Sequence, residues 1–371
     1  LSSPLNIAFQ KIDTPVATVV LDEIGYKWNN ITEKIDVPYF LTWGWVRNWL
    51  TSLPDNLNLN FVEVYKDNVL NGAFFVGHRK VRKYNLFRRN GLFLNTTGYP
   101  DIDNIYIEYN MIPSVNSFLM NLPDLLSDIN FQWEEITLPA MEEYFLSRMK
   151  RFLYEYSFII DNKVSSYFVD LRKIKDQEDY LKLLSSNSRA QIRRSYRLYN
   201  KKGMLRLEVA ASLKHALNIY EELTDLHQNT WKARGLSGAF SSPYFKEFHK
   251  KLICDRFNTG EIQMLRLALD DITIACLYNF VYRNKVYFYQ SGLKYEQDPK
   301  LKPGFISHVE AILYNARVGN KEYDFLAGEE QYKKSLSTDS NSIIWARIQK
   351  KSLKFNIENS ILKLYAKFLK K

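Results

Sequence analysis

The sequence predicts an α/β chain (α+β, with a mixed sheet) built as two successive units, and three observations carry that expectation. Residues 286–326 read strand, polar loop, Pro-Gly, amphipathic helix, Gly, strand, which is the order of a βαβ unit. A similar order of hairpin, strand, helix and strand runs over 59–138, without the Pro-Gly entrance. The 25 Tyr and 23 Phe suit sheet-rich cores and pockets better than a helical solenoid, and no repeat of solenoid period is present.

In chain order, residues up to about Lys27 read as strand and turn fragments. The aromatic stretch 39–50 reads as a helix entered after Pro38, with Trp45 and Trp49 four apart on one face that fits core packing. Two strands over 59–76 flank the Asp67-Asn68 turn. Strands follow at 91–95, 104–109 and 132–138, with a helix over about 115–126. A first domain therefore spans 1–160. The run 166–171 opens a second, 161–352. Residues 179–202 read as one helix carrying Arg189, Arg193 and Arg197 at successive four-residue steps, with Arg194 and Lys201 beside them. Helices over 213–233, closed by Gly235, and over 244–255 precede strands at 262–269, 272–281 and 286–290, joined by the Asp270-Asp271 and Arg283-Asn284 turns.

The next helix is well punctuated. Phe305, Ile306, Val309, Ile312, Leu313 and Ala316 share one face, Pro303 suits a first helical turn, and Gly319 suits a left-handed cap. A short strand, 322–326, completes the unit. A glycine at the helix start leaves unpaired N–H groups and the positive end of the helix dipole at the strand's carboxyl edge, which is a site for an anion.

With 46% hydrophobic and 25% charged residues, the 371-residue chain is globular rather than disordered. Its formal net charge of +10 fits an anionic partner (a phosphorylated cofactor, a nucleic acid or an anionic lipid surface) as well as a plain surplus of surface lysine. Cys254 and Cys276 lack metal-ligand spacing, which argues against a disulfide framework or a metal site and fits a reducing, cytoplasmic setting. No apolar run reaches the length of a membrane span, and no export signal opens the chain. Residues 353–371 form a basic amphipathic helix with Ile357, Ile361, Leu364, Tyr365 and Phe368 on one side. Packing on the body is the expectation, and peripheral contact with a membrane surface the other reading.

A series of motifs runs through the chain. Tyr39-Phe40 with Trp45 and Trp49 comes first, then Val169-Asp170-Leu171, Ser188-Arg189 and Ile192-Arg193-Arg194. Trp231 with Arg234-Gly235 follows, then 287–292, Pro303-Gly304, and Asp324-Phe325-Leu326 with Gly328, Glu330 and Tyr332-Lys333. This run, over 39–334, resembles the double-domain GNAT acyltransferases, in particular the CelD-like cellulose-biosynthesis acetyltransferases and, more distantly, the Fem peptidyltransferases. The resemblance implies two tandem GNAT-like domains, the first a degenerate copy that helps form the acceptor pocket and the second holding the donor. It implies acyl-CoA, with acetyl-CoA first, as donor and an amine of a sugar, peptidoglycan-like or other small acceptor. Two alternatives stay open: Fem-like aminoacyl or peptidyl transfer from charged tRNA, and a non-catalytic basic module that binds nucleic acid or membrane. The chain departs from the pattern in two places. No Gln/Arg-x-x-Gly-x-Gly/Ala precedes Pro303-Gly304, and no long heptad arm is inserted in the second domain.

Acylation of an amine by a thioester needs a neutral amine, a stabilised oxyanion and a proton for the leaving thiolate. No Ser-His-Asp or Cys-His spacing supports a covalent intermediate, so direct transfer is expected. By the resemblance, backbone groups near Gln290 and Ser291 polarise the carbonyl. Pro303, Gly304 and Phe305 are expected either to meet the donor's phosphates, with Arg189 or Arg193 nearby, or to be a plain helix cap beside a solvated arginine face. Lys333 is expected either to stabilise developing charge or to be a solvated surface lysine. Glu330 or Asp324 can accept the amine proton through water, Asp324 being equally a partner for Arg189 or Arg193. Tyr289 and Tyr332 are candidate proton donors, and His308 is read first as structural.

Overall fold

The computed structural model describes residues 5–83, 87–105, 107–115, 122–126 and 132–368. The chain divides into two compact units, Leu1–Lys163 with Ile343–Lys371, and Val164–Ser342. This differs from boundaries at 160 and 352, because the second half of the last strand and the helix after it belong with the first unit.

The first unit opens with β1 (Leu5–Ile12), α1 (Thr18–Thr32) and α2 (Trp43–Leu50), then β2 (Leu59–Lys66), β3 (Val69–Lys83), β4 (Phe87–Leu94), α3 (Leu122–Leu125), β5 (Glu135–Glu142) and α4 (Glu143–Met149). β6 (Tyr156–Asp170) carries the chain into the second unit. There follow α5 (Gln177–Leu183), α6 (Ser186–Asn200), β7 (Leu205–Val209), α7 (Leu213–Ala233), α8 (Pro243–Arg256), β8 (Ile262–Leu269), β9 (Ile272–Tyr282), β10 (Lys285–Leu293), α9 (Pro303–Arg317), β11 (Glu322–Ala327) and α10 (Gln331–Leu336). β12 (Asp339–Lys350) and α11 (Leu353–Phe368) end the chain.

Several local expectations are corrected. α1 replaces the strand and turn fragments expected up to Lys27, because Leu21, Ile24, Trp28 and Ile31 recur at helical spacing and are all buried. The expected helix over 39–50 is a 3₁₀ turn and then α2, started by Thr42, whose side chain accepts from the Trp45 N–H. Where a strand is expected at 104–109, a 3₁₀ turn forms at Asp103–Ile105 and residues 107–109 are in no strand. The Asp103 carboxylate takes the N–H groups of Thr97 (2.9 Å) and Gly98 (2.6 Å) and folds the segment on itself. Of the helix expected over about 115–126, residues 116–121 lie outside the described residues. The single helix expected over 179–202 breaks at Leu184, where Ser185 caps α6 by accepting from the Ser188 N–H at 3.1 Å.

The strand order is β1-β2-β3-β4-β5-β12 in the first unit and β7-β8-β9-β10-β11-β6 in the second. Each contains one short parallel pair. β4 and β5 pair from Gly91↔Glu135 to Phe93↔Thr137, and β10 and β11 from Lys285↔Glu322 to Tyr287↔Asp324. β5 and β11 are also both bulged against their antiparallel neighbours, with one left-handed residue each, Ala140 (φ 48°) and Leu326 (φ 60°). The same topology thus occurs twice in a mixed α/β chain. The Asp67-Asn68 and Arg283-Asn284 turns have positive φ at both residues, the geometry of a tight hairpin.

In the second unit, Val286, Phe288, Tyr323 and Phe325 of the strands pack with Ile306, Val309 and Ile312 of α9 and Ile192 and Tyr199 of α6. In the first, α11 turns Phe355 and Glu358 inward, and Glu358 pairs with the fully buried Arg89 at 2.7 Å. Ile357 and Ile361 face solvent, contrary to the expected packing of that side on the body. A buried guanidinium requires a counter-charge, and that requirement sets the rotation of the helix. The side chains of Leu364, Tyr365 and Phe368 lie outside the described residues.

Candidate active site

The site begins where β10 and β11 part. Their parallel register ends at Tyr287↔Asp324. Beyond it, β10 shifts register against β9 between Phe288 and Gln290, and β11 shifts against β6 between Asp324 and Ala327. Gln290 and Ser291 therefore lie on the separated part of β10. α9 starts at Pro303 with Lys302 as its cap residue and no side-chain cap, so the N–H groups of its first turn, at Gly304 and Phe305, are not taken by a capping side chain. Lys302 donates its own N–H to Ser195 Oγ of α6 at 3.0 Å, which fixes the helix entrance.

The β11 side is built around two buried charges. Asp324 accepts from the Leu326 N–H (2.8 Å), Ser166 Oγ (3.1 Å) and Lys285 Nζ (2.9 Å). Its ion-pair partner is Lys285, not Arg189 or Arg193, because Lys285 directly follows the hairpin turn and lies beside Glu322 in the parallel register, two residues before Asp324. Lys333 is buried rather than solvated. Its Nζ donates to the carbonyls of Leu326 (3.3 Å) and Ala327 (2.7 Å) and lies 3.5 Å from Glu330. Gly328, at φ 148°, permits this approach, since a Cβ there would lie 2.7 Å from Lys333 Nζ. Glu329 accepts from the Ser165 N–H at 2.7 Å and ties the same loop to β6.

Behind this loop stands an aromatic wall. His308 of α9 is fully buried between Phe288 and Phe325. Its Nδ1 lies 3.1 Å from the Tyr323 hydroxyl, and its ring stacks on Tyr332 at 5.4 Å. Burial, with the Lys333 charge adding to it, holds the imidazole down to about 3, so it is neutral. Burial also pushes the Tyr332 phenol up, with Glu330 and Tyr295 adding, which keeps its proton on.

Tyr289 does not share that wall. It lies on the face covered by α8, stacked on Phe245, with its hydroxyl 3.1 Å from His249 Nε2. His249 Nδ1 lies 3.4 Å from the Tyr278 hydroxyl, and burial holds this imidazole well below the usual range. A neutral histidine thus bridges two tyrosine hydroxyls on the opposite face from Tyr332. The two candidate proton donors, Tyr289 and Tyr332, thus lie on different faces: successive β10 side chains alternate across the sheet, and Phe288 holds the α9 face.

Arg189 and Arg193 are engaged at the junction of α5 and α6. Arg189 donates to the Leu184 carbonyl at 2.6 Å, and Arg193 pairs with Glu178 of α5 at 2.6 Å, because the break at Leu184 lays α5 beside them. Glu330, Tyr332 and Lys333 do come together at the start of α10, next to the Asp324 bulge. Sequence reasoning missed Lys285, Ser166 and His249. Only the Arg283-Asn284 turn, which sets the register of β10, hints at Lys285. Among the described residues no group of three or more His, Cys, Asp or Glu can hold a metal ion, and no helix is long and apolar enough to cross a membrane.

This architecture has counterparts among known proteins. Residues 186–334 match the family model of an acetyltransferase (GNAT) domain. No curated protein matches the chain. Among solved structures, FemX is similar with a TM-score of 0.55 at 10% identity, over 87% of this chain and 95% of that one. A conserved protein of unknown function from Bacteroides thetaiotaomicron VPI-5482 gives 0.55 at 10% identity, over 93% and 100%. The C-terminal domain of a putative lysylphosphatidylglycerol synthetase from Agrobacterium fabrum gives 0.52 at 10% identity, over 89% and 93%. Residues 186–334 therefore match a GNAT domain, and the fold of the chain is distantly similar to that of FemX. None of these matches singles out the CelD-like group.

Proposed function

We propose that this protein transfers an aminoacyl or acyl group from an activated donor to an amine, with Fem-type aminoacyl transfer as the leading reading. The observation that carries it is the parting of β10 and β11 beside the uncapped start of α9. That geometry offers a reacting carbonyl the backbone of the β10 edge and offers an anionic donor the N–H groups of Gly304 and Phe305. In this reading the amine nitrogen attacks the carbonyl carbon directly and the bond to the donor oxygen or sulfur breaks. Backbone groups near Gln290 and Ser291 polarise the carbonyl. The Tyr289 hydroxyl, backed by neutral His249, relays the amine proton to the leaving group. Asp324, Glu330 and Lys333 act as positioning residues that hold the loop after β11.

Charged tRNA is favoured as donor by the absence of a glycine-rich phosphate loop before Pro303-Gly304, by the net charge of +10, and by the likeness to FemX along most of the chain. The second reading, a CelD-like N-acyltransferase using acetyl-CoA or another acyl-CoA, rests on the acetyltransferase model over 186–334. In both, the acceptor is an amine of a sugar, peptidoglycan-like or other small molecule.

The test is single-turnover transfer to amino-sugar and peptidoglycan-precursor amines from labelled aminoacyl-tRNA and, separately, from labelled acetyl-CoA. Label reaching the amine from the tRNA supports the leading reading, and label only from the thioester transfers the conclusion to the second. Tight tRNA binding with transfer from neither donor would leave a non-catalytic module and end the catalytic proposal.

A further inference from the structure

α11 presents an apolar stripe outward. Leu353, Ile357 and Ile361, four residues apart, are 81%, 57% and 49% exposed, while the inward side is occupied by Phe355 and Glu358. A helix that packed only as a lid would turn those leucine and isoleucine side chains inward. Here the Arg89–Glu358 pair, backed by Glu135, Arg347 and Asp161, holds them out.

The sequence that carries the stripe has charge of almost one sign. Residues 350–371 contain seven Lys and a single acidic residue, Glu358, and that acid is buried on Arg89. Lys351 donates to the carbonyl of Tyr154, whose side chain is 78% exposed, at 2.9 Å. Lys354 donates to the carbonyl of Arg88 and pairs with Glu134, which brings the helix start against the basic β3–β4 hairpin, where Lys80, Arg82 and Arg88 are exposed.

We propose that this face of α11 docks in the plane of a lipid bilayer rich in anionic headgroups. Exposed apolar side chains enter the headgroup boundary while lysines beside them meet lipid phosphates, which is how a basic amphipathic helix lies on a membrane. The charge selects this occupant over two others. A second copy would set one lysine-rich face against another, and a nucleic acid would use the lysines but not the Leu353–Ile357–Ile361 stripe. The inference is independent of the catalytic reading.

Flotation of the full chain with vesicles of phosphatidylcholine alone, and of phosphatidylcholine with phosphatidylglycerol in equal parts, tests it. Binding is expected to the mixed vesicles only and to fall as salt rises. Leu353→Asp with Ile357→Asp is expected to weaken it at least about 30-fold, since two inserted side chains are lost and two repelled charges gained. Both positions are exposed, so an unchanged melting temperature verifies that the variant is folded. The proposal is overturned by equal binding to neutral vesicles, by no binding to either, or by unchanged binding of the double variant. It is also overturned if sedimentation shows a dimer, lost in that variant, in place of vesicle binding.

Discussion

The ammonium of Lys333 lies 2.7 Å from the carbonyl oxygen of Ala327, six residues earlier, and so closes the loop that follows β11. Replacing it with methionine leaves that carbonyl and the one at Leu326 without their donor. Lys333→Met is expected to lose about 2–3 kcal/mol of stability in urea, while the folded fraction keeps turnover within about tenfold of the parent. The same change removes a positive charge that depresses His308, so the His308 ring, followed by NMR, should titrate at higher pH. A loss of about 100-fold in turnover without loss of stability would instead assign Lys333 to the reacting charge.

Asp324 is held by three donors in a site with no exposure. Asp324→Asn removes the buried charge that pairs with Lys285 and should cost about 3–5 kcal/mol. Chemical denaturation reads this directly, and the double variant Asp324→Asn with Lys285→Met should recover part of the loss. Full additivity of the two single losses would show that the pair is not coupled.

Tyr289→Phe removes a hydroxyl and little volume. It should lower turnover about 100-fold with a change in stability of about 1 kcal/mol, as a proton relay requires and a packing role does not. Kinetics measured beside a melting curve separate the two.

Acid should weaken the fold through its buried histidines before the carboxylates titrate. An unfolded chain takes a proton on His308 near 6.5, but the folded chain refuses it until about 3. The unfolded state therefore binds more protons in that window, and stability falls as the pH drops from about 6.5 towards 3. Each unit costs about 1.4 kcal/mol per histidine, with His249 shifting in the same direction. Urea unfolding at pH 7 and pH 5.5 should show the decrease, and a fold as stable at the lower pH would remove both histidines from the account.

Arg189→Ala with Arg193→Ala should leave donor affinity within about twofold, because both guanidinium groups are engaged at the α5–α6 junction. Lys302→Ala, at the entrance of α9, should weaken an anionic donor by about fivefold or more in a calorimetric titration.

How much of this was legible depended on whether a signal was local. Arg283-Asn284, Pro303 and Gly319 punctuate β10 and α9 within a few residues of where they act, so that βαβ unit could be read directly. β12 was not read, because it is defined by pairing with β5 some two hundred residues earlier and has no turn signal of its own. The site followed the same rule. Asp324, Tyr332 and Lys333 lie in one short motif, whereas Ser166 reaches Asp324 across 158 positions and His249 reaches Tyr289 across 40. The arginine row on α6 was legible as a face, but the helix break that supplies Glu178 lay outside the pattern.

The pairing of Arg89 with Glu358 also limits how the chain can be shortened. A version ending at 352 would look like a tidy removal of a peripheral helix, yet it would leave Arg89 with one fewer acid in a pocket it cannot vacate, about 3–5 kcal/mol worse off. Anyone trimming the protein for crystals or for domain swaps should therefore cut after α11, or change Arg89 to methionine in the same step.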